Sequence, residues 1–169
     1  MGAAYFYHLT RHPLEVTLPM LLGKSLQAGW RVAIRGVDPG RMAWLDKKLW
    51  QGPEDGFLPH GLAGGPHDAD QPVLLTTAAD LPNSAACLMT VDGAAVGADE
   101  VKQLERVCVL FDGNNDAEVQ AARGQFHIVM AIVIVIIIFI NIPMMVEATT
   151  TAAAGSNGGS NDDSSSLNL

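Results

Sequence analysis

Apolar positions along the chain fall into two patterns. Short runs in which almost every residue is apolar suit strands buried on both faces of a sheet, and between them apolar residues recur at helical spacing. Residues 3–9 (AAYFYHL) form an aromatic-rich run expected to be a first strand, and Thr10 to Pro13 turns the chain into a helix. That helix is expected from about Pro13 to Ala28, with Val16, Met20 and Leu21 on its apolar face and Gly29 as its C-terminal stop. Pro19 lies inside it and lacks the N–H that a helix interior uses, so a kink or interruption is expected in the first part. Residues 31–37 (RVAIRGV) read as a second strand, and Asp38-Pro39-Gly40 suits a helix start. From Arg41 to about Trp50, Met42, Leu45 and Leu49 share one helical face while Lys47 and Lys48 point elsewhere.

A loop over residues 64–70 (GGPHDAD) precedes a largely apolar strand at 72–77 (PVLLTT) and another at 85–91 (AACLMTV), stopped by Asp92-Gly93. Residues 97–105 read as a helix, with Asp99 and Glu100 early, where carboxylates favour the dipole, and Arg106 following it. Residues 107–111 (VCVLF) form the fifth expected strand, and a last helix starts at Asp116 and runs to at least Arg123. Strands alternating with helices imply right-handed crossovers and a three-layer α/β fold. The expected architecture is a mostly parallel, Rossmann-like open sheet with helices on both faces, over residues 1–125.

The pattern changes after residue 125. Residues 126–146 (FHIVMAIVIVIIIFINIPMMV) are 21 positions without Asp, Glu, Lys or Arg, about the length that spans a bilayer. Residues 147–169 are rich in Ala, Thr, Gly, Ser and Asn and are expected to be disordered. Three explanations fit the apolar segment: a C-terminal membrane anchor, a buried element completing the fold, or a sequence artefact such as a frame change.

Charge narrows the function classes. The net charge is −8, which argues against DNA binding through the overall field, and all ten basic residues lie at or before Arg123. The only cysteines, Cys87 and Cys108, sit in strand-like runs without metal-ligand spacing, so buried free thiols in a reducing cytosol are expected. No secretory signal is apparent at the N-terminus. Neither Gly36 to Gly40 nor Gly61 to Gly65 has the G-x-G-x-x-G spacing, and no phosphate-binding G-x-x-x-x-G-K-[ST] occurs, which leaves a nucleotide-dependent enzyme as the minor alternative. His60, His67, Asp68 and Asp70 form the only His and carboxylate cluster, in a loop that reads as a solvated turn rather than a metal site. His60 is expected to hydrogen-bond locally after Pro59. Ser25 and Ser84 lack nucleophile context, so no catalytic residue, metal or cofactor is expected.

Residues 45–63 (LDKKLWQGPEDGFLPHGLA) join a helix end to a polar turn flanked by Trp50 and Phe57, two aromatics that the turn cannot bury alone. This stretch resembles the chi subunit family of bacterial DNA polymerase III, in which a helix ending in Leu-Trp precedes Phe-hydrophobic-Pro-His. Residues 4–7 (AYFY), 71–76 (QPVLLT), Val91-Asp92-Gly93, 105–113 (ERVCVLFDG) and the run from Leu18 to Val32 resemble it too, in the same order, from about residue 3 to about 125. The resemblance implies a cytoplasmic, non-catalytic accessory subunit bridging the clamp loader to single-stranded-DNA-binding protein. It implies that Trp50, Phe57, Leu58, Pro59 and His60 receive the psi subunit or an equivalent clamp-loader component. It also implies that Arg123 and Phe126 take the acidic C-terminal tail of single-stranded-DNA-binding protein, with His127 standing where many family members have Lys. DNA is then reached only through the protein partner, and membrane attachment is the minor alternative.

Overall fold

The computed structural model describes residues 2–52, 56–130 and 135–139, with the backbone alone at 130 and 135–139. Its elements are β1 (Ala3–Leu9), α1 (Leu14–Gln27), β2 (Val32–Arg35), α2 (Pro39–Trp50), β3 (Gly61–Leu62), a 3-10 turn at Asp68–Asp70, β4 (Val73–Thr76), β5 (Cys87–Thr90), α3 (Ala98–Gln103), β6 (Arg106–Asp112), α4 (Asp116–Met130) and β7 (Val135–Phe139). The seven strands form one sheet in the order β3-β4-β2-β5-β6-β1-β7, and every pairing is parallel.

Strand order accounts for the layers. The crossovers through α1 and α2 step toward the β3 edge, whereas those through α3 and α4 step toward the β7 edge. Right-handed crossovers running in opposite directions must lie on opposite faces. The packing agrees: Val32, Ile34, Val73 and Leu75 join the leucines of α1 and α2 in one core, while Ala33, Leu88, Val107 and Val109 join Val101 of α3 and Ala122 of α4 in the other. The three-layer α/β expectation therefore holds, with strands buried on both faces as continuous apolar runs require.

The apolar face expected for α1 is corrected. Leu21 is buried as expected, but Val16 and Met20 are exposed, and the buried face is Leu14, Thr17, Leu18, Leu21, Leu22 and Ser25. Both sets have helical spacing, but four leucines against the sheet bury far more apolar area than a Val and a Met. Pro19 does not interrupt the helix, which runs unbroken through it with the proline on a half-exposed side. Gly29, at φ +79, ends α1 as expected: Gly29 N–H donates to Leu26 O at 2.9 Å and Trp30 N–H to Ser25 O at 3.1 Å. Asp38 caps α2 by accepting from Arg41 N–H at 2.8 Å.

The two-residue β3 was not anticipated, being too short to show a period. The apolar run beginning at Phe126 is divided in the structure. Its first five residues complete α4, and Val135–Phe139 pairs in parallel with β1 over Ala4–His8. Among the described residues no helix is long and apolar enough to cross a membrane. Residues 140–169, with the expected disordered tail, lie outside the described residues. Cys87 and Cys108 are buried free thiols on adjacent strands. Their mutual hydrogen bond, together with burial, raises the Cys108 thiol well above its ordinary range.

Arg35 ends β2 under the loops on both sides. All five of its N–H groups are used: on Ala78 O (3.0 Å), Ala79 O (2.6 Å), Ala95 O (3.3 Å) and bidentately on the Glu100 carboxylate (2.8 and 3.2 Å). Burial of Glu100 opposes ionisation, but hydrogen bonds from Arg35 and Gly97 N–H and the Arg35 charge outweigh it and hold the carboxyl below its ordinary range. Arg35→Ala leaves these acceptors unpaired and is expected to cost about 3 kcal/mol in urea unfolding. A depressed folded pKa means that this stabilisation is present above about pH 4.3, the unfolded Glu range, and fades as pH falls through the folded value. The stability gap between wild type and Glu100→Gln should accordingly shrink from pH 6 to pH 3.

Candidate functional site

The register that turns Met42, Leu45 and Leu49 into the core leaves Trp50, the last residue of α2, outside. Trp50 is 59% exposed and Phe57 77% exposed, both far above what large aromatics usually show. Their ring centroids lie 6.3 Å apart, and the Trp50 ring lies 4.6 Å from that of His60. His60 itself is buried. Its Nδ1 donates to Leu58 O at 2.7 Å, while Nε2 lies 3.3 Å from Asp46 O and 3.5 Å from Asp46 Oδ1. The local hydrogen bond expected of His60 is thus present, and the ring forms a floor that fixes the Leu58-Pro59 turn against the end of α2. Leu58 packs partly on the core and Pro59 is half-buried. Five residues named from the sequence are brought together, two as exposed rings and three as their support. Asp46 was missed, because a carboxylate on a helix flank has no signal in the sequence until the turn returns beside it.

Arg123 and Phe126 also meet. They line a cavity of about 250 Å³ with Phe6, His8, Phe111 and Val119, on the α4 face of the sheet. Phe126 packs edge-on against Phe6 at 5.5 Å, and His8 stacks on Phe111 at 5.1 Å with 14° between planes. Arg123 is exposed at the rim, and His127 is exposed beside Phe126 at 6.1 Å. The groove has an apolar floor, a half-buried aromatic wall and one cation, a combination that suits an acidic apolar peptide. Phe6, His8 and Phe111 were read only as strand residues, since the sequence does not show that β1 and β6 are neighbours.

The carboxyl ends of the strands, where doubly wound folds bind nucleotides, are differently furnished. The direction of the crossovers reverses between the neighbouring strands β2 and β5, and Arg35 and Glu100 fill that crevice. The N-terminus of α2 is occupied by the Asp38 carboxylate, and Gly97 N–H before α3 donates to Glu100 Oε2 at 2.8 Å. A cavity of about 310 Å³ at the second reversal, between β6 and β1, has Glu15, Asp92, Asp112 and Glu118 against Arg11 and Arg41. Carboxylates placed where phosphates would sit make these poor phosphate sites. In the His67 loop, Asp68 accepts from Gly64 and Gly65 N–H at 2.7 and 3.0 Å, holding a turn.

The family model described as DNA polymerase III chi subunit, HolC, matches residues 1–132. The chain belongs to the DNA polymerase III chi subunit family. A protein of Rickettsia prowazekii (strain Madrid E) named "Probable DNA polymerase III subunit chi" is 23% identical over 111 residues, covering 63% of this chain and 67% of that protein. The family match passes residue 125, where the resemblance was expected to stop, and takes in the whole of α4. As a chi-family chain it has a replication accessory role, and its two aromatic surfaces are to be judged in that setting.

Because Trp50 and Phe57 are exposed, Trp50→Ala and Phe57→Ala should each change urea-unfolding stability by less than about 1 kcal/mol. His60→Ala should destabilise by about 1–3 kcal/mol by stripping buried hydrogen bonds from the turn.

Proposed function

We propose that the chain is a non-catalytic tether within the DNA polymerase III holoenzyme, linking the clamp loader to single-stranded-DNA-binding protein. The surface of Trp50, Phe57, Leu58, Pro59 and His60 receives the psi subunit or an equivalent clamp-loader component. The groove of Arg123 and Phe126 receives the acidic C-terminal tail of single-stranded-DNA-binding protein. The observation that carries this reading is the Trp50–Phe57 pair: two large rings held in solvent over a buried, hydrogen-bonded histidine. Burying each ring against a partner is worth roughly 1.5–3 kcal/mol, which favours a protein contact over a small ligand on so open a surface.

The mechanism is effective concentration. Two modest contacts on one body turn the second binding event into an intramolecular one and hold the polymerase assembly on coated template. The net charge of −8 is consistent with reaching DNA through the protein partner rather than directly. Such a role places the chain in the cytoplasm.

The test has two arms. A fluorescent peptide copying an acidic single-stranded-DNA-binding-protein tail should bind saturably, about tenfold more weakly after Arg123→Ala and more weakly again at raised salt. Psi subunit should bind the wild type and lose roughly 30-fold in affinity with Trp50→Ala or Phe57→Ala. Peptide binding indifferent to Arg123 and salt would refute the groove, and psi binding indifferent to both rings would refute the aromatic surface.

A further inference from the structure

At the amino ends of the strands, away from the end that Arg35 closes, Arg106 opens β6 with its guanidinium over two rings. It lies 4.6 Å from the Tyr5 centroid and 4.8 Å from the Trp30 centroid. Tyr5 belongs to β1, on one side of β6, whereas Trp30 leads into β2 on the other, so the two rings come from opposite sides of the strand. Stacking uses the flat faces of a guanidinium and leaves its N–H edges. Arg35 spends all five N–H groups on protein acceptors, but the half-buried Arg106 has no hydrogen-bond or ion-pair partner among the described residues. Arg106 lines a cavity of about 300 Å³ together with Lys24, an exposed residue in the last turn of α1 that also lacks an ion-pair partner among the described residues. No Asp or Glu is among the described residues lining it, in a chain with 18 acidic residues against 10 basic. Glu105, beside Arg106 in the chain, is exposed and forms no ion pair with it. The remaining walls are largely apolar, with Met20, Leu21 and Met89, and the Tyr5 side chain also lines the space. The charged cavity at the other end of the sheet, by contrast, sets four carboxylates against Arg11 and Arg41.

We propose that this cavity binds a small apolar monocarboxylate, its carboxylate on the Arg106 fork with Lys24 beside it and its hydrocarbon part against Met20, Leu21 and Met89. The planar fork of an arginine matches the two oxygens of a carboxylate, and the rings hold that fork in place before a ligand arrives, so little ordering cost falls on binding. A phosphate would meet the same donors. The C-terminal end of α1 borders the cavity, however, and the negative end of its dipole disfavours a second negative charge. The apolar walls add affinity only for a ligand that carries hydrocarbon. The volume lies at the small end of ligand pockets and suits one compact molecule rather than a length of chain. The lining shares no residue with the Trp50 surface or the Arg123 groove, so failure of this proposal leaves the tethering role as it stands.

The test is a titration of the isotope-labelled full chain with isocaproate, with its neutral amide and with inorganic phosphate, read from backbone amide shifts in nuclear magnetic resonance spectra. Isocaproate is expected to bind saturably with shifts centred on Tyr5, Lys24 and Arg106, and the amide and phosphate are each expected to bind about tenfold more weakly. Arg106→Gln should weaken isocaproate about tenfold and Lys24→Gln about threefold, with the amide unaffected by Lys24→Gln. Circular dichroism checks that each variant is folded. Lys24 is exposed, so Lys24→Gln decides the question even where loss of the stacked guanidinium disturbs β6. No saturable binding of isocaproate, equal binding of acid and amide, phosphate as tight as isocaproate, or shifts centred on the Arg123 groove would overturn the proposal. So would an isocaproate affinity that either folded variant leaves unchanged.

Discussion

The fold depends on Arg35. The crossovers switch from one face of the sheet to the other between β2 and β5, and at that seam two loops and a helix meet. Each brings polar backbone that would otherwise be buried without partners, at a cost of about 1–3 kcal/mol per group. A single guanidinium, 6% exposed, gathers Ala78, Ala79, Ala95 and Glu100 at once. Arginine is the one side chain with five donors in a fixed fork, and lysine could not meet these directions. The same contact occupies the crevice where related architectures admit a nucleotide, so the means of closing the sheet also removes one potential ligand site.

Closing that seam fixes the relation between two halves. One half is β3, β4 and β2 with α1 and α2, ending at the exposed Trp50; the other is β5, β6, β1 and β7 with α3 and α4, carrying Arg123 and Phe126. The two aromatic surfaces thus lie on opposite faces of the sheet and toward opposite edges. They share no residue and no loop, so neither partner need approach the other's footprint. Trp50 on α2 and Arg123 and Phe126 on α4 are held by helices whose inward neighbours are locked in a core, which lowers the ordering cost of binding at those positions.

Much of this was legible in the sequence. Val73–Thr76 and Cys87–Thr90 are apolar at nearly every position, and only a sheet covered on both sides accommodates that. The cap at Asp38 and the stop at Gly29 are local chemistry, carried by two or three neighbouring residues. The Trp50, Phe57 and His60 group was readable because its members lie within one short stretch. What was not readable depends on distance along the chain. Arg35 and Glu100 are 65 residues apart and look like ordinary charges in a strand and a helix. The groove under Arg123 needs Phe6, His8 and Phe111, brought together only when β1 pairs with β6. The face of α1 was misjudged because Val16 and Met20 have the same spacing as the leucines, and only the sheet's position separates the two.

The proposed tether requires one domain to hold two protein partners at once on opposite faces. Sedimentation velocity of the full chain with psi and with single-stranded-DNA-binding protein, separately and together, tests it most directly. The account predicts a species containing all three, with the affinity for each partner changed by less than about twofold when the other is bound, since independent sites carry little coupling energy. Displacement of one partner by the other would contradict it, because surfaces that exclude each other cannot form a tether.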